Sequence, residues 1–206
     1  MATTFKTLTS TNDITSTRTL LHEAIPLTGT IASGTYADAN IKTYSHGMFE
    51  SVYDYPYLSS SANHIFDITT GYSSNSSLSG TGIQNSKKLN VYSQMAQVLV
   101  GYDATGSIQS FDQDGDIAIG GTKINEAIFV NFSRLLAKDE IKKGSFIASF
   151  LTGGTPAART DTLALQDHGA ATSYKVNSPA GEYGILYTSS VGITATSGVG
   201  LLYYQA

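Results

Sequence analysis

Tyr183-Gly184-Ile185-Leu186-Tyr187-Thr188 and Val199-Gly200-Leu201-Leu202-Tyr203-Tyr204 decide the fold class: two short apolar and aromatic runs separated by a stretch rich in Ser, Thr and Gly. Aromatic and aliphatic side chains of this kind suit a pleated, half-buried surface, and the small residues between them suit turns. Upstream, Thr162 to Leu165 and Tyr174 to Val176 repeat the pattern. Strands at that spacing predict a mostly β (α+β) fold with a β-sandwich or jelly-roll-like core. Further back, Ala127-Ile128-Phe129-Val130-Asn131-Phe132 reads as a buried strand and Ser145 to Leu151 as another, with a short helix expected at 135–143 and closed by Gly144.

One segment has a different period. Leu89, Tyr92, Met95, Ala96 and Leu99 recur at three- and four-residue steps, which predicts an amphipathic helix at about 87–100, with Ser86 as N-cap and Gly101 as stop. Residues 71–86 are rich in Ser, Asn and Gly and read as a loop. Strands or extended segments are expected at 48–58 and 64–69, at 20–27 with Pro26 ending or bending the strand, and at 29–31. Residues 1–19 hold only isolated Phe5, Leu8 and Ile14 among Thr, Ser and Asn, and are expected to be a flexible N-terminal arm. No internal repeat appears, so 20–206 is expected to form a single β-rich domain.

Composition narrows the function. The chain has 206 residues, 41% hydrophobic and only 14% charged, and its polarity is carried by 25 Ser and 25 Thr. A net charge of −4, with lysines only singly or in pairs such as Lys87-Lys88 and Lys142-Lys143, lacks the basic stripe that a phosphate backbone demands. No direct nucleic-acid partner is therefore expected. With no cysteine, disulfides and thiolate chemistry are excluded. The first residues hold no apolar stretch of signal-peptide length, and nowhere do ~18 apolar residues run uninterrupted, so no membrane partner is expected.

Few residues point to chemistry. Asp112-Gln113-Asp114-Gly115-Asp116 invites comparison with a calcium loop: Gly115 falls at the sharp turn and Ile117 at the apolar position. The first and last ligand positions are then Ser110 and Gly121, so the chelating Glu is missing and a solvated Asp-Gly turn is the expectation. His22, His46, His64 and His168 show no metal-binding spacing. No Gly-x-Ser-x-Gly elbow is present, and Gly80-Thr81-Gly82 and Gly153-Gly154 lack a phosphate loop's lysine. No catalytic residue, cofactor or metal ligand is assigned, although two carboxylates brought together by the fold would suffice for glycoside hydrolysis.

The tyrosines Tyr53, Tyr55 and Tyr57 are the candidate interface residues. On a strand they would share one face, alternating with Asp54 and Pro56. Such a face suits an assembly or glycan-binding surface, and equally a half-buried sheet face.

Three long strings carry a resemblance. They are His22-Glu23-Ala24-Ile25-Pro26-Leu27-Thr28-Gly29-Thr30, Ser45-His46-Gly47-Met48-Phe49-Glu50-Ser51-Val52-Tyr53-Asp54-Tyr55-Pro56-Tyr57-Leu58-Ser59-Ser60-Ser61-Ala62-Asn63-His64-Ile65-Phe66-Asp67 and Asn177-Ser178-Pro179-Ala180-Gly181-Glu182-Tyr183-Gly184-Ile185-Leu186-Tyr187. From about residue 20 onward the chain resembles a family of virion structural proteins of contractile-tailed phages (myoviruses) of marine cyanobacteria. The resemblance implies a non-enzymatic subunit, made in the host cytoplasm and located in the virion, whose partners are copies of itself and other virion proteins. A baseplate, tail or neck component is the expectation. The alternatives are a receptor- or glycan-binding module at a tail tip, a capsid-associated protein or a polysaccharide-degrading enzyme.

Overall fold

Strands β1 (Ile41–Thr43), β2 (Glu50–Tyr53), β3 (His64–Tyr72) and β4 (Glu126–Phe132) form an antiparallel sheet in the order β1-β2-β3-β4. This computed structural model describes residues 38–115, 117, 120–133, 140–151, 154–155, 158–159, 162–188 and 197–205. The expected arm at 1–19, the strands expected at 20–27 and 29–31, and most of the helix expected at 135–143 lie outside the described residues. The longest ladder runs from the Phe66–Phe132 pair to the Tyr72–Glu126 pair. Between the Val52–Phe66 and Tyr53–His64 pairs the register skips Ile65, a bulge that turns the start of β3.

Helix α1 (Ile83–Leu99) packs on β3. The approach depends on Gly71, where a Cβ would lie 2.8 Å from the backbone nitrogen of Tyr92. Its buried residues are Val91, Tyr92 and Ala96; with Met95 and Leu99 half-buried, the expected apolar face is the face that packs. The helix begins a turn earlier than its periodicity suggests, so Ser86 lies inside it and Gly82 is the N-cap. That first turn carries no core residue, since Ile83 is 79% exposed; the phenol of Tyr72 anchors it by donating to Asn85 at 2.7 Å. Gly101, at φ +90°, ends the helix with its N–H on the Ala96 carbonyl.

Tyr92, Ala96, Val100 and Phe111 form one core cluster, with Ala127 and Phe129 of β4 and Leu201 packed against it. Phe111 meets Tyr92 edge-on at 5.6 Å and Phe129 at 5.7 Å. β4 was expected to be a buried strand, yet Ile128 is 60% exposed: alternate residues of the strand point away from α1.

The remaining strands are β5 (Ile147–Leu151), β6 (Gly154–Thr155), β7 (Ala158–Arg159), β8 (Thr162–Gln166), β9 (Lys175–Ser178), β10 (Gly181–Leu186) and β11 (Gly200–Tyr203). β11-β10-β9 make a three-stranded antiparallel sheet, and β5-β8 and β6-β7 make two-stranded ribbons. Gln166 and Tyr187 exchange backbone hydrogen bonds of 2.9 and 2.8 Å, which ties the β5-β8 ribbon to the sheet. A second cluster, Ile141, Phe146, Ala170, Leu186, Leu202 and Tyr204, fills the space between them.

β11 lies between the two clusters. Leu201 packs into the first and Leu202 into the second, as the two-residue period of a strand requires. The chain is thus mostly β, with antiparallel sheets and one main helix. No helix among the described residues is long and apolar enough to cross a membrane.

Candidate interaction surface

β2 ends at Tyr53, so Tyr53, Tyr55 and Tyr57 do not share a strand face as expected. The reason lies in Asp54. Its carboxylate accepts the backbone N–H of Asn63 at 2.7 Å and the Asn63 side-chain amide at 2.9 Å, and its own N–H donates to the Asn63 carbonyl. These bonds close the base of a loop at 54–63. Within it, Ser59 N–H donates to the Pro56 carbonyl and Ala62 N–H to the Ser59 carbonyl, while Tyr57 N–H reaches the Ala39 carbonyl at 3.0 Å. The Asn63 side chain, and then its backbone, hold the Asp54 carboxyl below its ordinary pKa.

The three tyrosines consequently differ. Tyr53 is half-buried, its ring 6.4 Å from that of Tyr57 and 5.5 Å from His64. Tyr55 is 57% exposed, Tyr57 37% and the neighbouring Leu58 87%. Leu58 was missed by sequence reading because one leucine after a proline turn carries no periodic signal.

Beside this loop runs a hydrogen-bonded chain across β2, β3 and the β1–β2 hairpin. The Tyr44 hydroxyl lies 3.2 Å from Ser51 Oγ, Ser51 Oγ donates to Asp67 Oδ1 at 2.5 Å, and His64 Nε2 lies 2.8 Å from the same oxygen. Ser51 and Asp67 are cross-strand partners, and the bulge at Ile65 brings His64 to their side. Serine, histidine and aspartate are all present, but in the wrong order for nucleophilic catalysis. A serine is activated by an imidazole, with the carboxylate orienting that imidazole from behind. Here the carboxylate stands between the two, and Ser51 is 3% exposed. The chain fixes strand register. At its other end the β1–β2 hairpin carries a ring cluster in which His46 stacks on Tyr44 at 5.1 Å and Phe49 leans on both. Lys87 of α1 holds the hairpin by donating to the His46 carbonyl at 2.8 Å.

The acidic stretch forms a turn, with Gly115 N–H on the Asp112 carbonyl at 3.2 Å, but it is not the solvated turn expected. Asp112 is 4% exposed and ion-paired to Lys123. Gly115, at φ +72°, lies so close to β10 and β11 that a Cβ would be 2.8 Å from Leu201 Cδ2. Asp116 lies outside the described residues, and among those described no three His, Asp or Glu side chains are placed to hold a metal. His22 also lies outside them, and His168 is exposed.

Asp167, 1% exposed, anchors the second cluster. It accepts Gly144 N–H at 2.7 Å, Phe146 N–H at 2.9 Å and the Tyr204 hydroxyl at 3.0 Å. Burial, reinforced by the Asp167 charge, raises the Tyr204 phenol far above its ordinary value. Lys143, ion-paired to Glu182 at 2.8 Å, sits over the rings of Tyr174 and Tyr204. These groups bond to one another and serve the fold.

Compared with protein-family models, with curated proteins and with solved structures, the chain matches none.

Proposed function

We propose that the chain is a non-enzymatic virion structural subunit that assembles with copies of itself and with other virion proteins in the baseplate, tail or neck of a contractile-tailed phage. The supporting observation is the 54–63 loop, which is held closed by Asp54 and Asn63 yet presents Tyr55, Tyr57 and Leu58 to solvent. Ordering large apolar side chains that the fold does not bury has no return in folding stability. It has one in binding, because a preorganised apolar knob enters a partner's pocket without a further ordering cost. The loop lies within the string 45–67 that carries the resemblance to phage structural proteins, and that resemblance supplies the particle. In this reading the four-stranded and three-stranded sheets are the leaves of the expected sandwich, supported by Leu201 of β11 packing on the cluster that contains Phe129 of β4.

Sedimentation velocity over a wide concentration range, beside incorporation into particles, tests the proposal. Burying Leu58 is worth about 1.5–3 kcal/mol, so Leu58→Ser should weaken association by roughly ten- to a hundredfold. The melting temperature should not move, since an 87% exposed side chain contributes little to the fold. Unchanged association and incorporation in a Tyr55→Ser, Leu58→Ser double variant would remove the loop from the interface. Turnover of a polysaccharide by the purified chain would overturn the non-enzymatic reading.

A further inference from the structure

At the C-terminal end of α1 lies a cleft of about 480 Å³, within the size range of small-molecule sites. One wall is a hairpin at 101–109: Gln109 N–H donates to the Gly101 carbonyl at 3.0 Å, Asp103 N–H to the Ser107 carbonyl at 2.9 Å, and Tyr102 pairs with Ile108. The Asp103 carboxylate locks its turn by accepting from Thr105 and Ser107. The opposite wall is Asn177 and Pro179, with Pro179 packed against Gly101 so closely that a Cβ there would lie 3.2 Å from its ring.

Gln97, Gln109, Asn177 and Tyr102 line this space, and among the described residues that line it none is charged. Each amide is placed differently. Gln97 stands exposed on the last turn of α1. Gln109 donates to the Tyr102 carbonyl at 2.9 Å, leaving its own oxygen as an acceptor. Asn177 is oriented by the hydroxyl of fully buried Tyr183 at 2.8 Å. Tyr102 is 53% exposed and lines the cleft. Ile117, which also lines the cleft, has φ +54°. A β-branched residue there is strained, and such strain concentrates at ligand-contacting sites.

We propose that this cleft binds a neutral, polyhydroxylated ligand: a sugar unit stacked on Tyr102 and hydrogen-bonded by Gln97 and Gln109. Amides both donate to and accept from hydroxyl groups, and a tyrosine ring fits the C–H face of a pyranose. The described lining residues give no counter-ion to a phosphate, a carboxylate or an ammonium group, so charged sugars are disfavoured. The site lies on different residues from the 54–63 loop, and the inference stands apart from the assembly reading.

Ligand-observed saturation-transfer NMR on the full chain, with methyl glycosides of neutral hexoses and N-acetylhexosamines beside glucuronate and glucosamine, tests it. The expected result is millimolar binding of a neutral glycoside, lost in Tyr102→Ala, weakened about tenfold in Gln97→Ala and unchanged in Leu58→Ser. Should Tyr102→Ala fail to fold, Gln97→Ala carries the test, because that side chain is exposed on the helix. Tighter binding of an oligosaccharide than of its methyl glycoside would identify a polysaccharide as the source. No signal from any neutral glycoside, equal binding of the charged sugars, or binding indifferent to both variants would overturn the proposal.

Discussion

The phenol of Tyr204 donates to the carboxylate of Asp167, and that carboxylate also gathers the N–H groups of Gly144 and Phe146. Nothing in the sequence marks Asp167 for this role, because its partners stand 21 to 37 positions away and only the folded chain brings them together. Tyr204→Phe should cost about 1.5–3 kcal/mol, the range for a hydrogen bond to a charged group, read as a lower midpoint in urea. Burial raises the Tyr203 and Tyr204 phenols above the ordinary value of 10.0. Their contribution to stability is therefore complete below pH 10 and is lost as the pH climbs toward their folded values. In an alkaline titration followed at about 295 nm beside circular dichroism, Tyr203 and Tyr204 should ionise only as the protein unfolds. Ionisation of both with native dichroism would contradict their burial. Gly115 makes a second residue-scale test. Its positive φ and its approach to Leu201 and Ile185 leave no room for a methyl group, so Gly115→Ala should destabilise by about 1–3 kcal/mol. The Asp-Gly turn itself was legible in the sequence; its burial under β10 and β11 was not, since local turn chemistry is the same whether or not a sheet lies beneath.

Among the elements, α1 was the most legible because a helix declares its buried face through local spacing. Tyr92, Met95, Ala96 and Leu99 do pack into one cluster, Leu89 is half-buried, and Gly101 does stop the helix. Its extra first turn was hidden: Ile83 is exposed and the turn is held by Tyr72, eleven residues before it, so no periodicity records it. Leu99→Ala should cost about 2 kcal/mol, the lower end for a core truncation because the side chain is only half-buried. Gln97→Ala should change stability little, and equal losses from the two in denaturant titrations would contradict the orientation of α1. β2 was misjudged for a related reason. Alternating tyrosines look like a strand, but Asp54 and Asn63 end it through a contact across nine positions that alternation cannot encode.

For the molecule as a whole, the strand-rich composition gave the class, while the pairing order and the sharing of two clusters depended on contacts far apart in sequence. On the assembly proposal, the arm expected at 1–19 takes part in binding the partner. Deleting residues 2–17 should leave the melting temperature within a few degrees while weakening co-assembly, because so few apolar side chains cannot offset the entropy of ordering without a partner's surface. Unfolding of the truncated chain would instead make the segment part of the core; unchanged assembly would leave the interface to the 54–63 loop. β11 has a consequence of another kind. Leu201 faces one cluster, Leu202 the other, and the Tyr203 hydroxyl donates to the Leu99 carbonyl at 3.2 Å. Tyr204, just beyond the strand, closes on Asp167. Four consecutive positions thus have no side free to drift. In a saturation-mutagenesis library scored for soluble expression, this run should be among the least tolerant stretches of the chain, while Leu58 and its neighbours vary freely until particles are the readout.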